Sequence, residues 1–253
     1  MRPKRNPPSF PVQLLDLFLM ELTNWRWSWR TIALTSAIAP MLSIIALGSF
    51  AQGSGRETLA YILTGNLVMA LMFGNLDNVA SRLVYMRFAG TLDYYATLPI
   101  RREALIIAIV LSFFLLSLPS LLINIGFGAF FLKLPLLLNP VILLVIPLCV
   151  LPLAGLGAII GTNARTPEES GSLSLLMTMV MLFIGPVIIP ESRLPDILLL
   201  VGRLSPATYA ASALRQTLVE PMTGQVVVDL AALVGFSLLT FWLVGLKLDW
   251  RQR

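Results

Sequence analysis

Between two long apolar runs the chain reads GTLDYYATLPIRRE, residues 90–103, where two acids, paired tyrosines, a proline and two arginines crowd together. Side chains of these types at this density suit recognition rather than bond making. Tyr94, Tyr95 and Leu98 offer apolar anchors, and Asp93, Arg101 and Arg102 offer charged partners. Aromatic and arginine side chains commonly dominate interface energetics. Pro99 pushes Leu98 out of the helical region, so a short helix or turn closes at Leu98–Pro99. Arg101, Arg102 and Glu103 then open the next apolar run. A simpler role for Arg101 and Arg102 is to anchor the topology at a membrane face.

Catalytic chemistry finds little to work with. Histidine is absent, and the one cysteine, Cys149, sits inside an apolar run. That removes the commonest metal ligand and general base, and leaves no disulfide framework or thiolate cluster. No metal site and no catalytic residue is expected. No G-x-x-x-x-G-K-[ST] pattern occurs, so the chain does not bind ATP in that way. Its serines have neither a histidine nor an intramembrane lysine to activate them.

Of 253 residues 57% are hydrophobic and only 12% charged, with a mean hydropathy of +0.84. Soluble domains carry about 25% charged residues. The charges cluster, leaving apolar runs of about 18 to 25 residues, long enough to cross a bilayer as helices. A barrel would alternate apolar and polar residues in segments of about 10, and no such alternation occurs. The expected fold is all-α, a polytopic membrane protein of six transmembrane helices. The net charge of +5 reads as positive-inside bias and attraction to lipid head groups. With no basic stripe or aromatic platform, nucleic acid is not an expected partner.

Residues 1–30 form a first unit. MRPKRNPP is a basic, proline-rich tail without the apolar core and cleavage site of a signal peptide. Residues 9–30 follow as an interfacial helix, with Leu14, Phe18, Leu22, Trp25 and Trp29 on one side and Gln13, Asp16, Glu21 and Asn24 interrupting the others. Trp25, Trp27 and Trp29, alternating with Arg26 and Arg30, suit the head-group layer. An ordinary lead-in to the first span is the alternative.

Residues 31–253 hold spans at about 31–50, 59–76, 104–127, 136–160, 171–189 and 226–246. A polar segment, 77–103, separates spans two and three. Segment 190–225 separates spans five and six, and its apolar pieces are too short to cross, so they are re-entrant or interfacial. Ser205 reads as an N-cap with Pro206 at the first helical position. Asn66 and Asn75 read as interhelical hydrogen-bond donors. Pro147 and Pro152, with Gly155, Gly157 and Gly161, predict a bent fourth span packed inside the bundle. No span carries an ionisable residue near its middle, which leaves a proton- or sodium-coupled carrier without its coupling group. A filter loop or charged ring is also missing.

The alternate loops that hold only Arg56, Lys133, Arg193, Arg203 and Arg215 fall outside, and the remainder of the 18 Lys and Arg fall inside. Both termini and residues 77–103 are therefore expected in the cytoplasm.

GTLDYYATLPIRRE resembles a stretch of type-2 ABC exporter permeases, in which Gly-Thr-Leu-acid precedes Pro-Ile-Arg/Ser-Arg-x-Glu at the entry to span three. Gly90, Thr91, Leu92, Asp93, Pro99, Ile100, Arg101, Arg102 and Glu103 match, with Asp93 where Glu is commoner. SPATYAASALRQTL, residues 205–218, is similar to the family's segment before the last span, with Ser205 where Asn is common. The layout agrees over nearly the whole chain.

The resemblance implies a permease subunit, not itself an enzyme, paired with a second permease, identical or related, and with two ABC ATPase subunits that bind ATP and Mg. Thr91, Leu92, Asp93, Tyr94, Tyr95, Leu98, Pro99, Arg101, Arg102 and Glu103 would dock on the ATPase. The re-entrant segment, with Ser205, Pro206, Tyr209 and Arg215, would close the outer gate. The implied activity is export by alternating access at the permease dimer interface, in a bacterial inner membrane. Apolar, uncharged spans favour an amphipathic or lipid-like cargo such as a drug, glycolipid or lipid-linked saccharide. No substrate-binding residue is assigned. Other readings are an ATP-independent carrier or scramblase, and a non-transporting assembly factor.

Overall fold

The computed structural model describes residues 9–247 except positions 27, 52 and 138. The expectations for the tail 1–8, for Trp27 and for the C-terminal end from residue 248 lie outside the described residues. All regular elements described are helical: α1 (Phe10–Trp25), α2 (Trp29–Phe50), α3 (Arg56–Leu71), a π turn (Met72–Asp77), α4 (Asn78–Phe88), α5 (Thr91–Ala96), α6 (Arg102–Leu132), α7 (Ile142–Asn163), α8 (Pro167–Ile184), a 3-10 turn (Glu191–Arg193), α9 (Asp196–Gly202), α10 (Pro206–Leu218) and α11 (Gln225–Lys247). Five runs are long and apolar enough to cross a membrane: α2, α3 through α4, α6, α7 and α11. The bent pair α9 and α10 would be a sixth if taken as one span, and the 18-residue α8 also runs between the two ends of the bundle. It starts beside Trp25, Arg82 and Tyr85 at one end of the bundle and finishes against Gly202 at the other. This is an all-α polytopic membrane protein, with α9 and α10 bent by 92° at the end opposite α5.

The second span does not stop near Leu76. The helix runs unbroken from Arg56 to Phe88, passing through the π turn. A π turn disturbs the regular carbonyl pairing, and here asparagines supply donors to the carbonyls around it. Asn78 Nδ2 donates to the Phe73 and Gly74 carbonyls at 2.8 and 3.1 Å. Asn75 Nδ2 donates to the Leu71 carbonyl and across to Ser117 Oγ of α6. Asn75 thus joins two helices as expected. Asn66 does not, because its amide donates to Ile62 of its own helix. The continuation also carries Asp77 into this helix, half-buried beside Thr35, Ser36, Phe73 and Asn78. That carboxylate lies just past a crossing of about 20 residues counted from Arg56, in a run whose spanning part looked free of charge.

Close backbone approach explains the glycines of α7. A Cβ on Gly157 would collide with the Leu76 carbonyl of the π turn, and one on Gly161 would lie 2.8 Å from the Ala80 carbonyl of α4. These two are a small-xxx-small pair, the spacing that lets helices meet backbone to backbone in lipid. Gly155 points the other way, against Thr240 of α11. The fourth span starts later than its apolar run, at Ile142, because Leu137 and Asn139 lie against the end of α10. The Leu137 and Asn139 N–H groups cap the Leu218 and Thr217 carbonyls at 2.7 and 3.2 Å.

Cys149 of α7 is fully buried. A membrane-permeant maleimide is expected to leave the folded protein unlabelled and to react after denaturation. Labelling of the folded protein would show that α7 is not packed inside the bundle.

Candidate functional site

Gly90 ends α4 in the left-handed conformation, φ 68°, which a glycine adopts without strain. The six residues of α5 follow. The helix closes before Pro99, as the Thr97 and Leu98 N–H groups return to the Tyr94 and Tyr95 carbonyls, both at 3.1 Å. Arg101 is extended, at the N-cap of α6, and Glu103 sits in the first turn of that helix. A carboxylate there is favourable near the helix dipole's positive end.

The segment divides into two faces. Asp93, Tyr94, Leu98, Pro99, Arg101, Arg102 and Glu103 are exposed, Tyr94 by 63%, while Thr91 and Leu92 are half-buried. Tyr95 is only 4% exposed, which corrects its reading as an anchor for a partner. Its ring packs inward and its hydroxyl donates to Met20 Sδ at 3.8 Å. Burial, reinforced by the Glu21 carboxylate, pushes the Tyr95 phenol above its ordinary value, so it stays a neutral donor. Two aromatic residues of α4, Tyr85 and Phe88, are exposed just before the segment and extend its apolar surface.

What holds this segment is α1. The deepest positions of that helix are Gln13, Leu17 and Glu21, not the side of Leu14, Phe18, Leu22 and Trp25, which is half-buried. Gln13 Nε2 donates to the Pro99 carbonyl at 3.4 Å, and its Oε1 accepts from the Arg101 N–H at 3.0 Å. Glu21 accepts two hydrogen bonds from Arg82 of α4, from Nε at 3.0 Å and from Nη2 at 2.7 Å. Trp25 stacks obliquely on Phe113 of α6, ring centroids 5.5 Å apart. Trp29 and Arg30 belong to α2, so the interfacial helix ends earlier than its sequence suggested. Gln13 and Glu21 were legible only as polar interruptions of the sides away from the apolar one. Their spacing of four from Leu17, which puts all three on one face, was the signal for a polar contact surface.

At the opposite end Ser205 and Pro206 stand where expected, at the cap and first residue of α10, but the Ser205 side chain makes no capping bond. The α9–α10 corner is pinned by Thr208 Oγ1 donating to the Gly202 carbonyl at 2.8 Å and Tyr209 Oη donating to the Arg203 carbonyl at 2.9 Å. Arg215 is buried over the Tyr61 ring, 3.6 Å from its centroid, and 3.7 Å from Glu220. It therefore ties α10 to α3. Among the described residues no three acidic or thiol groups converge as metal ligands.

The profile of the ABC-2 type transporter family matches residues 13–219, from the clamping glutamine to the end of α10. This chain belongs to that family. No curated protein matches it. In this ABC-2 type permease the family match takes in both ends just described, the braced α5 segment and the pinned α9–α10 corner. Membership makes it the membrane component of a transporter.

Proposed function

We propose that this ABC-2 type permease is the transmembrane subunit of an ATP-driven exporter, docked on ABC ATPase subunits through the exposed face of residues 90–103. The single observation that carries the reading is the bracing of that face. An exposed aromatic and charged ridge (Asp93, Tyr94, Leu98, Arg101, Arg102) is tied by Gln13 to α1, which Glu21 in turn ties to Arg82 of α4 and which leads within three residues into α2. A push on the ridge would reach α2 through α1, α6 directly, and the long α3–α4 helix through Arg82. Rigid elements joined by buried polar contacts carry such displacements.

In this reading the α5 end is cytoplasmic, in keeping with the positive-inside bias. ATP and Mg bind to the ATPase subunits, and a second permease, identical or related, completes the pathway. Transport proceeds by alternating access at the interface of the two permeases in a bacterial inner membrane. The α9–α10 corner, with Ser205, Pro206, Tyr209 and Arg215, closes the outer end. An amphipathic or lipid-like cargo suits the strongly apolar spans.

The test is to purify tagged protein from its native membrane in mild detergent and to assay the eluate for ATP hydrolysis. Co-purification of a protein carrying the Walker A pattern, with vanadate-sensitive hydrolysis, is expected. Folded permease that brings down no ATPase would overturn the reading.

A further inference from the structure

We propose that the α9–α10 corner of each protomer binds one zwitterionic phospholipid-like amphiphile, its ammonium and phosphate in a polar cavity and its chain in an adjoining apolar cleft. Two cavities share this corner. One, about 560 Å³, lies at the outer end and is lined by Glu191, Arg203, Tyr209, Ser212, Gln225 and Asp229. The other, about 290 Å³, is an open groove that runs from the corner along the side of α7 between α8 and α11; Ile159, Met177, Met181, Leu239 and Leu243 line it. Their walls are continuous. Arg203 faces the first cavity while Leu204 and Ser205, next in the chain, face the second. Tyr209 of the first packs on Phe236 of the second with ring centroids 6.0 Å apart.

The order of chemistry along this wall is that of a phospholipid. Glu191 and Asp229 offer carboxylates to an ammonium, and Arg203 a guanidinium to a phosphate. Asp229 is buried, with one hydrogen bond from Gln216 and one from Gln225. Among the described residues neither Glu191 nor Arg203 has an ion pair. Charges of both signs on one wall complement a zwitterion, whereas a purely anionic head group would meet two carboxylates. One step inward, Ser205 Oγ is buried without a hydrogen-bond partner at the mouth of the apolar cleft. A buried hydroxyl left unpaired is costly, and an ester carbonyl at the junction of head and chain would accept from it. Below Ser205 the lining is almost wholly aliphatic.

This site rests on cavity geometry and charge, and stands or falls separately from ATPase docking. The test uses the full chain in nanodiscs doped with phosphatidylethanolamine or phosphatidylglycerol bearing the same diazirine-labelled chain. After irradiation, adducts are mapped by mass spectrometry. Adducts on the peptides holding Met177, Met181 and Leu239 are expected from phosphatidylethanolamine, about tenfold above phosphatidylglycerol, as one charge-assisted contact predicts. Glu191→Gln/Arg203→Gln, both at exposed positions, should bring the two lipids level. Leu239→Trp, which fills the cleft, should abolish the adducts. Equal labelling by the two lipids, labelling unchanged in the charge variant, or adducts only elsewhere would mean ordinary bilayer contact and overturn the proposal.

Discussion

Alanine in place of Glu21 is expected to cost this permease about 3 kcal/mol of stability, the low end for breaking a buried ion pair, and to loosen the segment proposed to dock the ATPase. The carboxylate is 1% exposed and its partner Arg82 14%, so removing Glu21 leaves a guanidinium largely out of water without a counter-ion. The same change frees α1 from α4 at the turn where Met20 meets Tyr95. The check is thermal unfolding in detergent, read beside hydrogen exchange of residues 94–101. Destabilisation and faster exchange are expected together, and Glu21→Arg/Arg82→Glu should recover most of both. A variant that unfolds at the wild-type temperature with unchanged exchange would show that α1 does not brace the segment.

Leucine at Gly157 is expected to have a larger effect still, loss of the folded species. Even alanine places a Cβ against the Leu76 carbonyl, with the Leu76 Cα only 3.0 Å away. Backbone, unlike the end of a side chain, cannot swing aside. Alanine alone should therefore cost about 1–3 kcal/mol, the range for overpacking, because α7 or the π turn must shift. Gly126, Gly171 and Gly235 provide the control, since a Cβ at any of them meets nothing within 4 Å. Gly157→Leu should elute as aggregate from size exclusion where Gly171→Ala elutes as wild type. A monodisperse Gly157→Leu protein would contradict the packing of α7 on the π turn.

Apolar run length carried the fold, because lipid forces each run to satisfy its own backbone as a helix. What it missed were helices that continue beyond the apolar run. Nothing in DNVASRLVYMRF looks membrane-bound, yet α4 extends α3 because Asn75 and Asn78 supply donors around the π turn and α7 packs on it. At the docking segment the sequence located the turn, through Gly90 and Pro99, and its residue types. It could not separate Tyr94 from Tyr95, since which of two neighbouring tyrosines faces inward is set by α1, a helix far away in sequence. Likewise Gln13 and Glu21 fell outside the apolar stripe because that stripe was drawn for lipid. The face they belong to meets protein.

Site-directed photocrosslinking from Tyr94 tests the central claim most directly. Cys149 is buried and is the only cysteine, so Tyr94→Cys in otherwise unchanged protein presents a single reactive thiol for a benzophenone maleimide. In native membranes the docking account predicts a covalent adduct to a Walker A–bearing ATPase from position 94, and none from Thr223→Cys at the opposite end of the bundle. An adduct from position 223, or none from position 94 while the ATPase still co-purifies, would contradict it and move the docking surface elsewhere.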